Sequence, residues 1–376
     1  MGGSLRLGKI FGITINLNWT WFFIFALITW TLAADYFPTR YPTWSLSMKV
    51  GAGIFTSFLF FASVLFHELC HSLVALREGI KIQSITLFFL GGVAHMTGEP
   101  KTAADEFRMA FAGPFSSLVL GGIFLGIFFA LDGAAALSTQ FGAAVAYYLG
   151  FINIFLAVFN LIPGFPLDGG RVLRSIIWWR SRNLETATRI ASYIGRAFGF
   201  LFILGGIYLF FTADFFNGIW LAFIGWFLQN AAAGSYRQVE MREALRGFTA
   251  RAVMSSDYPA ILPNLSLREL VQGYVLPTGR RYFVVAEEGR LKGVVTLGNI
   301  KTVPQTQWDI TPVRAVMTPA DKVVSAHPEE EALSILERID EHGINEMLVV
   351  KEGIVLGIIV RENLLRFIRF RSELKI

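Results

Sequence analysis

Two long stretches without a single cationic side chain set the terms for this sequence: no Lys or Arg occurs from Met109 to Gly170, nor from Ala197 to Tyr236. A soluble domain needs charges to solvate its surface, so stretches of this length and apolarity point to lipid as their solvent. The whole chain agrees, with 54% hydrophobic and only 16% charged residues among 376. After Arg237 the composition becomes that of an ordinary soluble domain. One part of the chain is therefore expected in the bilayer and the other in water.

A helix rising 1.5 Å per residue needs about 20 apolar residues to cross the hydrocarbon. Six segments meet that length: about 17–35, 49–77, 107–131, 140–162, 186–211 and 216–233. The expected fold class is a polytopic α-helical membrane protein of about six transmembrane helices, followed by soluble α+β repeats. The loops alternate in charge. Arg6 and Lys9 precede the first span, and Arg40 stands alone after it. Arg77, Lys81, Lys101 and Arg108 follow the second span, Arg171, Arg174, Arg180, Arg182 and Arg189 the fourth, and Arg237 the last. Cationic loops face the cytoplasm, which predicts that both termini do. The first apolar run exceeds the roughly 7–15 residues of a signal-peptide core, so it reads as a retained span. The net charge of +5 sits mainly at span ends, where it serves headgroups and topology, and no nucleic-acid partner is expected. The single cysteine, Cys70, excludes an intramolecular disulfide and reads as a small helix filler.

Between the second and third spans, Ile82 to Met96 is too short to cross and is broken by Gly91-Gly92. It reads as a small hairpin or re-entrant segment, or as a plain apolar loop on the membrane surface. In the tail, Arg251-Ala252-Val253-Met254 recurs as Arg314-Ala315-Val316-Met317. Each copy leads through a helical stretch into a β-rich run, a turn and a second strand ending near Asn299 or Asn363. Two βαββα units of about 60 residues are expected to pack together, because neither closes a core alone.

The second span carries His67-Glu68-Leu69-Cys70-His71. Positions i and i+4 share a helix face, so both imidazoles can reach one ion while Glu68 handles a water proton, as in zinc hydrolases. A glutamate inside a membrane helix costs about 2.5–3.5 kcal/mol on insertion scales, which makes an unused one improbable; the bland alternative is a polar patch bonding neighbouring helices. A catalytic zinc needs a third protein ligand. Asp168 is the best candidate, in Asn160-Leu-Ile-Pro163-Gly-Phe-Pro166-Leu-Asp168-Gly169-Gly170, where prolines and glycines interrupt the end of the fourth span. His95, beside the Gly-Gly turn, is the rival. The second and fourth spans run in the same direction, and His67 lies ten residues before Arg77, so both candidate groups fall in the cytoplasmic half.

These motifs together resemble the site-2 protease family: His67-Glu68-x-x-His71, Gly113-Pro114, and Asn160-x-x-Pro163 through Asp168-Gly169. The tail repeats resemble CBS domains, and the Gly12-Ile13 to Trp19 approach to the first span fits the same branch. The resemblance covers nearly the whole chain. It implies an intramembrane zinc metalloprotease that cleaves transmembrane segments of membrane-anchored substrates, with residues 1–236 as protease and CBS repeats at 245–305 and 311–371. One Zn2+ per chain would be held by His67, His71 and Asp168, Glu68 would activate water, and Asn160 would sit near the scissile carbonyl. Ser117 stands where many relatives have Asn, which puts a substrate contact there in doubt.

The CBS resemblance implies regulation, an adenine nucleotide site involving Thr296 and Asn299, or a dimerising or docking module that pairs two copies. Nucleotide-binding copies carry Asp where Asn299 and Asn363 stand, and the second copy has Val360 in place of Thr296, which weakens ribose binding. Two other functions remain on sequence grounds: a CBS-gated metal or ion transporter, which would normally show several intramembrane charges, and a catalytically silent scaffold.

Overall fold

The computed structural model describes residues 4–96, 98, 100–132, 136–212 and 215–374. The chain separates into two units, Met1–Arg237 and Gln238–Ile376.

The first unit begins with a β-hairpin, β1 (Ser4–Ile10) and β2 (Ile13–Asn18), turned by Phe11 and Gly12, both at positive φ. Ile13, Ile15 and Leu17 alternate inward on β2, the period of a half-buried strand. Asn18 then caps the first helix, its Oδ1 accepting from the Thr20 amide at 3.0 Å. Helix α1 spans Trp19–Arg40 and α2 spans Leu46–Arg77, the latter started by Ser45, whose Oγ accepts from the Met48 amide.

The segment after α2 forms a second hairpin, β3 (Ile82–Phe88) and β4 (Gly91–Met96), which is the hairpin of the two readings open to Ile82–Met96 and not the plain surface loop. β3 pairs in parallel with β2, giving one sheet in the order β1-β2-β3-β4. Helices α3 (Ala103–Leu131) and α4 (Leu137–Asn160) follow. They approach closely where Gly121 faces Gly150 and Ile154; a Cβ on Gly121 would lie 3.1 Å from the Gly150 carbonyl oxygen. Small residues at such crossings are how helices pack in lipid, where no hydrophobic effect drives them together.

The Pro- and Gly-rich stretch after Asn160 ends in a short helix, α5 (Asp168–Ser181), so Asp168 opens a helix of its own instead of closing the fourth span. Helices α6 (Leu184–Thr212) and α7 (Phe215–Leu245) complete the series. Among the described residues, five helices are long and apolar enough to cross a membrane: α1, α2, α3, the 138–160 part of α4, and α6. The sixth expected segment, 216–233, lies inside α7, which continues past it to Leu245. Large apolar side chains such as Phe58, Phe115, Ile123, Phe151, Phe155, Leu201 and Phe211 are exposed on these helices, which is the surface that lipid requires.

The second unit contains two copies of one motif. In the first, β5 (Ala260–Ile261) pairs in parallel with β6 (Tyr282–Glu287), which forms a hairpin with β7 (Arg290–Thr296), and the short β8 (Thr318–Pro319) pairs antiparallel with β7. In the second, β9 (Ser325–Ala326) pairs in parallel with β10 (Glu346–Lys351), hairpinned with β11 (Ile354–Val360). A helical segment, 267–278 in the first copy and Ala332–His342 in the second, connects each pair of parallel strands. β7 and β11 meet antiparallel, joining both copies into a sheet of order β5-β6-β7-β11-β10-β9. Val284, Val294, Leu348, Val355 and Ile358 fill the shared core between the copies. This is the packed duplicate that the repeat predicts.

Candidate metal centre and active site

The lower half of α2 places His67 and His71 one turn apart on a buried face, at 4% and 5% exposure. Asp168 reaches them from the first turn of α5. The three candidate ligand atoms form a nearly equilateral triangle: His67 Nε2 to His71 Nε2 3.1 Å, His67 Nε2 to Asp168 Oδ2 3.2 Å, and His71 Nε2 to Asp168 Oδ2 3.1 Å. Tetrahedral zinc with bonds of about 2.0–2.1 Å places its ligand atoms about 3.3 Å apart. The triangle is therefore close to one face of a zinc tetrahedron.

The other ring nitrogens are held elsewhere. His71 Nδ1 donates to the Met109 carbonyl at 2.7 Å, which puts the proton there and leaves the Nε2 lone pair for a metal. His67 Nδ1 lies 2.9 Å from Ser117 Oγ, which fixes the second ring in the same way. Three lone-pair atoms converging at 3.1–3.2 Å repel unless a cation or shared protons lie between them. The donor set of two imidazoles and one carboxylate suits a catalytic zinc.

Helix α3 leaves room for that ion. A Cβ built on Gly113 would lie 2.1 Å from His71 Nε2 and 2.6 Å from His67 Nε2, so only glycine leaves the side of the two candidate ligand atoms facing α3 open. On the neighbouring face Glu68 lies against β4: a Cβ on Gly92 would come within 2.4 Å of Glu68 Cγ and 3.1 Å of its Oε1. Only a residue without a side chain lets the strand approach the glutamate this closely.

Asp168 is positioned by a close-packed turn. The Phe165 amide donates to the Ala191 carbonyl at 3.2 Å, and Gly195 on α6 lets the Phe165 backbone pass where a Cβ would clash at 2.0 Å from its oxygen. Gly169 and Gly170 in turn fold directly onto the backbone of Leu161, Ile162 and Gly164. The two glycines after Asp168 thus serve close packing.

Among the described residues, the one group of three or more His, Cys, Asp or Glu able to share an ion is His67, His71 and Asp168. His95 is exposed on β4, with Nδ1 3.5 Å from Ser84 Oγ, and stands outside the group. Asn160, at the end of α4, donates from Nδ2 to the Leu156 carbonyl at 3.0 Å. In the second unit Thr296 and Asn299 form a capping box: Asn299 Oδ1 accepts from the Thr296 amide and hydroxyl at 2.9 and 2.8 Å. The roles of Gly113, Met109 and Gly92 rest on contacts between elements that the sequence alone does not show, and Ser117 stands there only as a position of doubtful substrate contact. The Gly113-Pro114 motif was the available signal for the first.

Sequence comparisons agree with this geometry. The profile of peptidase family M50 matches residues 55–145 and 133–202, and the CBS domain profile matches residues 250–304 and 313–369. A protein of Synechocystis sp., sll0528, is 36% identical over 97% of this chain and 96% of its own length. Its name is that of a zinc metalloprotease.

The chain belongs to the M50 zinc metalloproteases.

A Methanocaldococcus jannaschii protein named as a zinc metalloprotease is 30% identical over the full length of both chains. The solved site-2 protease from the same organism is 31% identical, covering 62% of this chain and 96% of that one, with a TM-score of 0.43. This M50 protease therefore combines membrane-length helices with a CBS pair in one chain.

Proposed function

We propose that His67, His71 and Asp168 hold one zinc ion, that Glu68 is the general base, and that the substrates are membrane-anchored proteins cleaved in or near their transmembrane segments. The observation that carries this reading is the convergence of two Nε2 atoms, from a helix long enough to span a bilayer, with one carboxylate oxygen from α5, beside Glu68. Intramembrane proteolysis is the activity of the site-2 protease family.

Bound zinc supplies Lewis acidity toward a peptide carbonyl and acidifies a water molecule. Glu68, beside the ligand pair on α2, would take a proton from the attacking water as the water oxygen bonds to the carbonyl carbon. It returns the proton to the amide nitrogen as the C–N bond breaks. Ser117 and the Met109 carbonyl keep both imidazoles oriented throughout.

A substrate helix hides its carbonyls in i to i−4 hydrogen bonds and must unwind before cleavage. β4 is the last strand in the sheet order, and Gly92 places it against Glu68. An extended substrate stretch pairing with β4 would present its scissile bond at the glutamate, as in strand addition generally. Asn160 would then donate to the scissile carbonyl after releasing Leu156.

The CBS pair is proposed as a regulatory and homodimerising module, with repeats at 245–305 and 311–371 after a protease domain of 1–236, and with both termini cytoplasmic. An adenine nucleotide is proposed at the first copy near Thr296 and Asn299. Their mutual capping bonds leave fewer groups for a ribose, in keeping with the Asn in place of Asp.

The test uses the full chain with a membrane-anchored reporter. Glu68→Gln is expected to keep its zinc and lose about 10²–10⁴-fold in turnover, the range of general-base contributions. Undiminished cleavage would remove Glu68 from the reaction.

A further inference from the structure

Glu106 on α3 is fully buried, and Arg174 on α5 is 6% exposed. Arg174 donates from Nε to Glu106 Oε1 at 2.6 Å and from Nη2 to the same oxygen, while Glu106 Oε2 has no hydrogen-bond partner. The guanidinium also lies over the Phe165 ring, 5.1 Å from its centroid. A buried ion pair with one carboxylate oxygen unsatisfied is a poor stabiliser, because desolvation of both charges offsets much of their attraction. Packing alone does not explain why it is here.

Its position does. Glu106, Met109, Gly113 and Ser117 follow one another at spacings of three, four and four residues, so they form one stripe along α3. The rest of that stripe governs the two histidines: Met109 accepts from His71, Gly113 leaves space before both Nε2 atoms, and Ser117 holds His67. The remaining ligand, Asp168, opens α5 between Phe165 and Arg174, three residues after the ring that the guanidinium covers and six before Arg174 itself. The pair thus joins the helix that aligns the first two ligands to the helix that carries the third.

Building on the zinc-site reading above, we propose that Glu106 and Arg174 are positioning residues that set Asp168 against His67 and His71, and that their contribution is to zinc affinity and not to folding. Outer partners of metal ligands typically govern affinity by about 10–100-fold.

The test is Glu106→Leu/Arg174→Met in the purified full chain, which removes both buried charges and leaves apolar groups. The double variant is expected to melt at or above the wild-type temperature. Chelator competition should nevertheless show zinc bound about 10–100-fold more weakly, and the cobalt-loaded protein should show altered visible absorption bands. Wild-type zinc affinity with wild-type cobalt bands overturns the proposal. So does an affinity loss that merely follows a lowered melting temperature. Should the double variant not assemble, Arg174→Lys decides: it keeps the charge but cannot donate through two nitrogens of a fork. It is expected to weaken zinc binding, and wild-type affinity there overturns the proposal equally. Asp168→Ala is measured alongside. Zinc retained in Asp168→Ala sinks the ligand assignment itself, whereas zinc lost there and unaffected in the pair variants sinks only the positioning role.

Discussion

Gly113→Ala places one methyl group against both imidazoles of the proposed zinc site. The added carbon would stand 2.1 Å from His71 Nε2 and 2.6 Å from His67 Nε2. Unstrained contacts of this kind need about 3.5–4.0 Å, so the overlap exceeds roughly 1 Å against the nearer ring. Retreat of α3 would relieve it, but the same helix is bonded to His71 through Met109 at 2.7 Å and to His67 through Ser117 at 2.9 Å. Moving far enough to clear the methyl breaks the bonds that orient both rings. Overpacking in a well-filled interior typically costs about 1–3 kcal/mol. At about 1.4 kcal/mol per tenfold, zinc affinity should fall roughly five- to 150-fold, and cleavage with it. The assay is chelator competition on the purified full chain, with a thermal melt to show that the helices still assemble. Gly122→Ala and Gly126→Ala on the same helix are the controls, since a Cβ at either meets nothing within 4 Å. Wild-type zinc affinity in Gly113→Ala, or equal losses in the controls, would refute the reasoning.

Three further outcomes are expected. Gly92→Ala pushes a methyl onto Glu68 Cγ at 2.4 Å and should reduce kcat at least tenfold while zinc content stays stoichiometric, as measured by reporter cleavage and elemental analysis. Ser117→Ala removes the partner of His67 Nδ1 and should weaken zinc binding about tenfold, read by the same chelator competition. In the second unit, burial first, with Glu362 adding to it and Arg281 opposing, holds the Glu346 carboxyl above the ordinary glutamate range. The folded state then binds this proton more tightly than the unfolded one, so stability falls as pH rises from about 4.3 through the raised value and stays lowered above it. Melts of the full chain followed by a CBS-unit probe should show that decline, and Glu346→Gln should lose it.

Much of the site was legible because its chemistry is local. His67, Glu68 and His71 sit within five residues, and helical spacing alone brings the imidazoles together. Asp168 was legible because Pro163, Pro166, Gly169 and Gly170 mark a break at the end of a span, although the break turned out to begin a separate helix. The 82–96 hairpin was one of two forms its length and composition allowed, and Gly91-Gly92, read as a break, opens its second strand; the tail was legible through its repeated motif. β1 was not anticipated: Arg6 and Lys9 were assigned to topology, and the alternation of Ile13, Ile15 and Leu17 runs directly into the apolar helix that hides it. The roles of Met109, Gly113, Ser117 and Gly92 depend on contacts between separate elements. His67 and Ser117 are 50 residues apart, and Glu106 and Arg174 are 68 apart. No spacing rule reaches across such distances, and a carbonyl such as that of Met109 carries no side-chain signature at all.

The most direct test of the account is the zinc content of the purified full chain, measured for the wild type and for Asp168→Ala after both are dialysed against a weak chelator. The account predicts one zinc per wild-type chain and far less than one in the variant, with the melting profile of the CBS unit unchanged. Equal zinc in both proteins, or none in an active wild type, would contradict it.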